Sequence, residues 1–256
     1  MLANLLPSSV REAAYRRKFL DNREEHLFMG SFESFAAAEA GIPSSKAVGY
    51  DSAPPDAFYS HQIYFYDYPG FFWLDRSLGD GMRKIFDLGG HVGIKYYALR
   101  RVLPYPLDLR WTVCDVPVVV KFGRELADRR HAAAQLQFCT EHRDASGCDV
   151  LYASGSLQYL PRRIGEILAD LPDKPRRVIL NVTAVHPERT LYTLNSIGFA
   201  VCPYRIQHYD QLLGELIEAG YKRRDAWRNE GKPIEVPFVD GGDKAYYAGC
   251  CFDRKG

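Results

Sequence analysis

The chain has 256 residues, and its 33 Lys and Arg against 32 Asp and Glu leave a formal net charge of +1. A composition of 46% hydrophobic and 25% charged residues, at this length, is typical of a folded protein with a substantial core and excludes a disordered chain. The balanced charge provides no global field that would attract nucleic acid or an anionic membrane. We therefore expect a small or locally recognised partner and no nucleic acid.

The N-terminal apolar run is interrupted by Pro7 and soon followed by charged residues, so it is too short for a signal-peptide core or a membrane span. We expect no membrane span and a cytoplasmic location. The six cysteines lack metal-ligand spacing, so we expect most of them to be small buried residues and expect no metal site. The sequence does not fix the oligomeric state, and a homodimer is compatible with it.

The first 80 residues differ in character from the rest. Residues 9–25 and 32–41 are predicted to form two accessory helices, the second closed by Gly41. Residues 50–74 hold a dense aromatic cluster that includes Phe58 and Tyr59, and it either packs against the next domain or forms a wall or lid of an acceptor pocket. We predict an N-terminal helical and aromatic-rich cap at 1–80, followed by a second domain at 81–256.

From residue 83 onward, strand-like and helix-like segments alternate. Strands are predicted at RKIFDL, LRWTVC, AQLQFC, CDVLYAS and RRVILNVTAV, separated by amphipathic helices, and the helix YDQLLGELIEAG ends at Gly220. The segments YKRRDAWRN and KAYYAGCCFD are predicted to form a closing hairpin. This pattern indicates an α/β fold with a mostly parallel sheet, an antiparallel C-terminal hairpin and flanking helices.

The most informative stretch is the strand that runs from Ile85 into Asp87 and the glycine-dense turn behind it. Gly89, Gly90 and Gly93 allow the backbone to approach a ligand and to adopt positive φ angles. The spacing does not match the G-x-G-x-x-G pattern of dinucleotide-binding sheets. A carboxylate at this position would pair with a cationic group better than with a pyrophosphate, so the turn favours a ligand that carries an ammonium or sulfonium. His91 is expected to shape this turn.

Polar residues follow three further predicted strands. Asp115 ends the second strand, where a carboxylate reaches ribose hydroxyls in nucleotide-binding sheets. Thr140 and Glu141 end the third strand and are candidates to flank an adenine. The carboxyl ends of parallel strands border one crevice, so the end of the fourth strand is expected there too. It offers three candidate ligand-binding residues: Ser154, Gly155 and Ser156. Capping of the following helix is an equally good explanation for these serines.

Together, IFDLGGHVGIKYY, WTVCDVP and DVLYASGSLQYLP resemble a bacterial family of class I methyltransferases whose methyl acceptors are largely uncharacterised. The resemblance covers roughly residues 30–220. It implies the Rossmann-like class I methyltransferase fold and S-adenosylmethionine as methyl donor, with S-adenosylhomocysteine as product. Asp115 stands where many relatives are expected to have Glu, and either carboxylate can bind a ribose diol. The family's Arg-Thr pair aligns only loosely with Arg189 and Thr190.

Methyl transfer to a hydroxyl or an amine needs proximity and, for some acceptors, a general base. His186 is the first candidate for the base because it follows a strand end that should face the acceptor, and Tyr159 is the second. The function predicted is O- or N-methylation of a small molecule or a glycan. A methyltransferase-like binding module without catalysis is the alternative, and a nicotinamide-dependent oxidoreductase is a weaker one.

Overall fold

The computed structural model describes residues 7–50 and 62–255. Its helices are α1 (Ser8–Asp21), α2 (Phe35–Ala40), α3 (Tyr68–Gly79), α4 (Ile94–Arg100), α5 (Pro117–Arg129), α6 (Ile164–Ala169) and α7 (Tyr209–Glu218). Its strands are β1 (His26–Phe32), β2 (Ala47–Val48), β3 (Lys84–Leu88), β4 (Arg110–Cys114), β5 (Leu136–Cys139), β6 (Val150–Ser154), β7 (Arg177–His186), β8 (Leu191–Ile197), β9 (Ala200–His208), β10 (Tyr221–Asn229) and β11 (Tyr246–Arg254). In this part of the chain, no helix is long and apolar enough to cross a membrane.

The central sheet has the strand order β5-β4-β3-β6-β7-β11-β10. Its first five strands are parallel, whereas β11 runs antiparallel to both of its neighbours, β7 and β10. The predicted mostly parallel sheet with an antiparallel C-terminal hairpin is therefore confirmed. Because β3 lies at the centre of this sheet, its carboxyl end opens between β4 and β6, and the Gly-rich turn lies at the middle of the sheet edge.

Consecutive strand residues face opposite sides of the sheet, and the core divides accordingly. Ile85 packs with α3, α4 and α5, while Phe86 packs on the other face with α6 and α7. Both side chains are almost completely buried. Four of the six cysteines are also buried, and all six are free thiols, as predicted for small hydrophobic residues.

A second, smaller sheet was not predicted. The hairpin β8–β9 follows β7, and β1 pairs antiparallel with β8 while β2 pairs parallel with β9. The last two residues of β7, Val185 and His186, pair with β9. Strand β7 therefore lies in the central sheet along nearly its whole length and also joins the second sheet at its end. The polar residues Thr193 and Asn195 are fully buried in β8 because their side chains bond to backbone carbonyls of β1.

The N-terminal segment is attached to the rest through this second sheet and through α3. Phe19 of helix α1 is fully buried against Leu194 and Val201. Leu74 and Leu78 of α3 pack in the same cluster as Ile85. The predicted boundary near residue 80 thus falls between elements that share a core, and the division into a cap at 1–80 and a domain at 81–256 stays a prediction.

We expect Phe19→Ala to lower the free energy of unfolding by about 3–5 kcal/mol, the usual cost of removing a buried Phe side chain. Urea unfolding followed by circular dichroism measures this loss. If α1 and the second sheet fold together with the central sheet, the whole single transition shifts to lower urea. Val10→Ala, at an exposed position of the same helix, is the control and should change the midpoint little. A separate early transition in Phe19→Ala would instead support an independent N-terminal domain.

Candidate functional site

The Gly-rich turn joins β3 to α4 at the centre of the sheet edge. Gly89 and Gly93 have φ angles of 71° and 87°, which side chains rarely allow. A Cβ on Gly89 would lie 2.3 Å from the Cβ of Ser156, and a Cβ on Gly90 would lie 2.4 Å from a carboxylate oxygen of Asp87. The glycines are therefore required by space as well as by conformation, and the turn passes tightly over Asp87.

Asp87 is a buried carboxyl group with one side-chain hydrogen bond. It is 1% exposed, and the indole Nε1 of Trp111 donates to its Oδ2 at 3.1 Å. Burial raises the pKa of Asp87 to about 7, against the opposing effects of the Trp111 hydrogen bond and the charge of Lys95. A cation brought next to this carboxyl group would lower its pKa again, because it favours the ionised form.

Asp115 follows the neighbouring strand β4 and supports the turn. Its Oδ2 accepts a hydrogen bond from the backbone N–H of His91, and its Oδ1 accepts one from the backbone N–H of Val116, both at 2.8 Å. A carboxylate accepts hydrogen bonds at both of its oxygens, so Asp115 holds two backbone groups beside the turn at once. The imidazole of His91 lines the cavity described below, and burial lowers its pKa to about 4, so that its ring is neutral at pH 7.

The end of β6 borders the turn from the other side. The hydroxyl of Ser156 donates to the Leu88 carbonyl at 2.5 Å, which fastens this segment to the end of β3. Gly155 has a φ of 76°. Gln158 is 3% exposed, its Nε2 donates to the Val182 carbonyl, and its Oε1 accepts no hydrogen bond of ordinary geometry from the described residues.

A cavity of about 470 Å³ lies beyond these strand ends. Seven residues singled out from the sequence line it: Asp87, Gly89, Gly90, His91, Ser154, Gly155 and Tyr159. Gly93, Asp115 and Ser156 lie next to these residues and hold the turn. Thr140 and Glu141 are exposed beyond the end of β5, where β5 pairs with β4, and are not among the lining residues.

Aromatic side chains form the opposite wall. The rings of Tyr64 and Tyr66 are stacked with their centroids 5.0 Å apart and an interplanar angle of 10°. The backbone carbonyl of Tyr66 accepts hydrogen bonds from the side-chain amides of Asn181 and Asn229, at 3.1 and 3.0 Å. The aromatic cluster therefore supplies both core residues and a wall of the cavity. Phe58 and Tyr59, which the sequence placed in the same cluster, lie outside the described residues.

Three further charged residues at the cavity, Asp67, Lys95 and Lys232, were not singled out from the sequence. The ammonium of Lys95 lies 2.5 Å from the carboxylate of Asp67, which is completely buried. Lys232, in the loop after β10, lines the same cavity. Asp67 precedes Pro69 in an irregular aromatic segment, Lys95 resembles any helix lysine, and Lys232 lies about 140 residues further along the chain, so no local pattern marks the three.

Val182 adopts a φ of 50° just after β7 ends its pairing with β6 at Asn181. This angle is unusual for a β-branched residue and costs about 1–3 kcal/mol, which the surrounding structure must offset. The side chain of Asn229 accepts a hydrogen bond from the Val182 N–H at 3.2 Å, and the Val182 carbonyl accepts the bond from Gln158. Val182 also lines the cavity. The strained backbone of Val182 therefore lies in the wall of the cavity.

The structure places the two candidate bases differently. His186 is fully buried outside the lining of the cavity. Its Nε2 lies 3.0 Å from the Gly241 carbonyl, and its Nδ1 accepts hydrogen bonds from the N–H groups of Glu188 and Arg189. Because both ring nitrogens of His186 contact backbone groups, its side chain connects the loops that contain Glu188 and Gly241, and we do not propose it as the base. Tyr159 does line the cavity, and its hydroxyl donates to Asn195. Burial raises the pKa of Tyr159 well above its ordinary value.

No family model matches the sequence, and no curated protein matches it. Solved structures do match. A proposed sarcosine dimethylglycine methyltransferase from Galdieria sulphuraria is 12% identical, with 73% of this chain and 86% of that chain covered and a TM-score of 0.51. The [4+2]-cyclase SpnF is 17% identical, with 73% and 81% covered and a TM-score of 0.51. The 1,6-didemethyltoxoflavin N1-methyltransferase of Burkholderia thailandensis is 18% identical, with 75% and 79% covered and a TM-score of 0.49.

At these identities, the likeness concerns the fold. The chain has the Rossmann-like fold of the class I methyltransferases, with a mostly parallel sheet flanked by helices, as the sequence predicted. The same fold is found in a protein named for a cyclisation reaction. The chemistry of this chain must therefore be argued from its own site.

The raised pKa of Asp87 predicts how stability depends on pH. The folded-state pKa of about 7 lies above the ordinary value of 3.8, so the stabilising contribution of the protonated form is fully present below about pH 4. That contribution is lost as the pH rises through about 7. Asp87→Asn cannot ionise, and we expect it to gain stability relative to the wild type between pH 5 and pH 8, on the order of 2 kcal/mol.

Urea unfolding of both proteins at pH 5, 6, 7 and 8 measures this difference. Asp75→Asn is the matched control, because Asp75 is exposed on α3 and its replacement should give no such trend. A difference between Asp87→Asn and the wild type that stays constant across this range would contradict the assignment.

Proposed function

We propose that the protein is an S-adenosylmethionine-dependent methyltransferase that methylates an oxygen or nitrogen atom of a small molecule, glycans included. One observation carries the proposal: the buried carboxyl group of Asp87 lies under a glycine turn that opens onto a cavity of about 470 Å³. A buried acid without a cation in direct contact is costly, and a ligand ammonium at this position would offset that cost.

The residues around the turn fit the parts of this cofactor. Asp87 would pair with the ammonium of its methionine portion, while Gly89 and Gly90 let the backbone approach it. The carboxylate of Asp115, at the end of β4, would accept the ribose hydroxyls. Thr140 and Glu141 stay candidates for the adenine side, since β5 lies next to β4. Ser154 and Gly155 border the methionine portion or the acceptor.

A nicotinamide-dependent oxidoreductase is less consistent with the site. Dinucleotide-binding sheets have the strand order 3-2-1-4-5-6 with parallel strands, and their glycine turn faces a pyrophosphate. Here an antiparallel strand, β11, lies between β7 and β10. The negative charge of ionised Asp87 beneath the turn would repel a pyrophosphate, whereas it would attract a cationic donor.

S-adenosylmethionine would supply a methyl group on its sulfonium. A lone pair of the acceptor oxygen or nitrogen would attack the methyl carbon, the carbon–sulfur bond would break with its electrons going to sulfur, and the acceptor's proton would pass to solvent water as S-adenosylhomocysteine leaves. The protein's part is then to hold the acceptor in line and to exclude water. Tyr159 lies on the cavity wall with its hydroxyl anchored to Asn195, so it serves to position the acceptor. Its raised pKa makes a tyrosinate base costly, and the low pKa of His91 makes that imidazole a weak base. We therefore propose catalysis that rests on positioning.

The alternative is a protein of this fold that binds a ligand without transferring methyl groups. The match to SpnF supports keeping it, since that protein is named for a [4+2] cyclisation. Binding of S-adenosylhomocysteine shows whether the protein has a cofactor site. Assaying a broad panel of acceptors with methyl-labelled S-adenosylmethionine then distinguishes an enzyme from a binding module.

Isothermal titration with S-adenosylhomocysteine tests the proposed cofactor site. We expect micromolar binding by the wild type and a loss on the order of tenfold or more in both Asp87→Asn and Asp115→Ala, because each removes a charged hydrogen-bond acceptor from the ligand. Asp75→Asn, which removes a carboxylate from the exposed face of α3, should bind like the wild type. Absence of binding by folded wild-type protein would refute the proposal.

A further inference from the structure

We propose that Lys232 recognises an ionised acid group on a planar aromatic methyl acceptor, whose ring stacks on the wall formed by Tyr64 and Tyr66. This inference rests on the proposed function, because it takes the remaining space of the same cavity to be the acceptor site. It names a substrate class that neither the fold nor the cofactor site specifies.

Lys232 reaches the cavity from the loop between β10 and β11. Its Nζ lies 4.8 Å from the ring centroid of Tyr247 and 5.9 Å from that of Tyr66, both within the range of cation–π contacts. Within residues 7–50 and 62–255, no carboxylate lies close enough to form an ion pair with it. Burial and the positive charge of Lys95 lower the pKa of Lys232, and the Asp67 carboxylate opposes them.

The other charges of the cavity are already matched or assigned. The carboxylate of Asp67 is neutralised by Lys95 at 2.5 Å, and it also accepts a hydrogen bond from the Tyr64 N–H. Asp87 is the group that the proposed cofactor's ammonium would meet. With Asp67 paired, Lys232 is the cation in the described lining that lacks a carboxylate partner. An anion on the acceptor would restore the balance.

The aromatic pair beside Lys232 offers a place for a flat ring. Tyr64 and Tyr66 stack on each other, and the Asn181 and Asn229 amides hold the Tyr66 backbone in place, so a bound ring would extend this stack from Tyr64, which is 37% exposed. Such a preorganised aromatic surface offers contact area at little entropic cost. The unpaired Oε1 of Gln158 adds one hydrogen-bond acceptor for an N–H or O–H of the bound molecule. A flat, acidic aromatic compound uses all three features.

The test is titration of the S-adenosylhomocysteine-saturated protein with 4-hydroxybenzoate and with 4-hydroxybenzamide, which have the same ring and differ in charge. We expect the wild type to bind the carboxylate more tightly, by on the order of tenfold. Lys232→Gln should abolish this preference while leaving the affinity for the amide unchanged, and Lys232→Arg should keep it. Tyr66→Leu should weaken both compounds by a similar factor. Lys222→Gln, at an exposed position of β10, is the control and should behave like the wild type.

Equal affinity for the two compounds, or no binding of either by protein that binds S-adenosylhomocysteine, would overturn the inference and leave the proposed function standing. Weaker S-adenosylhomocysteine binding in Lys232→Gln would also overturn it, because Lys232 would then hold the carboxylate of the cofactor. The proposed function fails in a distinguishable way, through absence of S-adenosylhomocysteine binding in the wild type.

Discussion

A carboxyl group buried beneath a glycine turn is the constraint on which the rest of the site depends. Asp87 has no room to leave its position, because the turn at Gly90 passes within contact distance of it and Trp111 holds it from the neighbouring strand. Asp115 then fixes the outer part of the same turn through the His91 N–H. Burial of Asp87 lowers the stability of the free protein at neutral pH. Such a buried carboxyl group is typical of a functional site, where a bound cation offsets the loss of stability.

The strained residue Val182 lines the cavity beside the point where the second sheet joins the central sheet. Strand β7 ends its pairing with β6 at Asn181 but stays paired with β11, and its Val185 pairs with both β11 and β9. The side-chain amides of Asn181 and Asn229 bond to the Tyr66 carbonyl and thereby hold the aromatic wall in place. The second sheet itself contributes His26 of β1 to the cavity lining.

Sequence patterns predicted the central sheet, the closing hairpin and the turn at Asp87 because each depends on local periodicity and glycine spacing. They did not predict β1, β8 and β9. Thr193 and Asn195 resemble loop residues, and only their bonds to the carbonyls of β1 allow them to be buried in a strand. His186 was chosen as a base for its position after a strand, but its backbone partners come from loops up to 55 residues away. Lys232 could not be linked to the site, because its contacts depend entirely on tertiary structure.

The central claim is that Asp87 ionises to receive the cationic end of the cofactor. Titration calorimetry with S-adenosylhomocysteine at pH 6.5, in buffers of different ionisation enthalpy, counts the protons exchanged on binding. A pKa of about 7 leaves Asp87 mostly protonated at that pH, so the account predicts release of a large fraction of one proton by the wild type and little release by Asp87→Asn. Binding without proton release in the wild type, or equal release by both proteins, would contradict it.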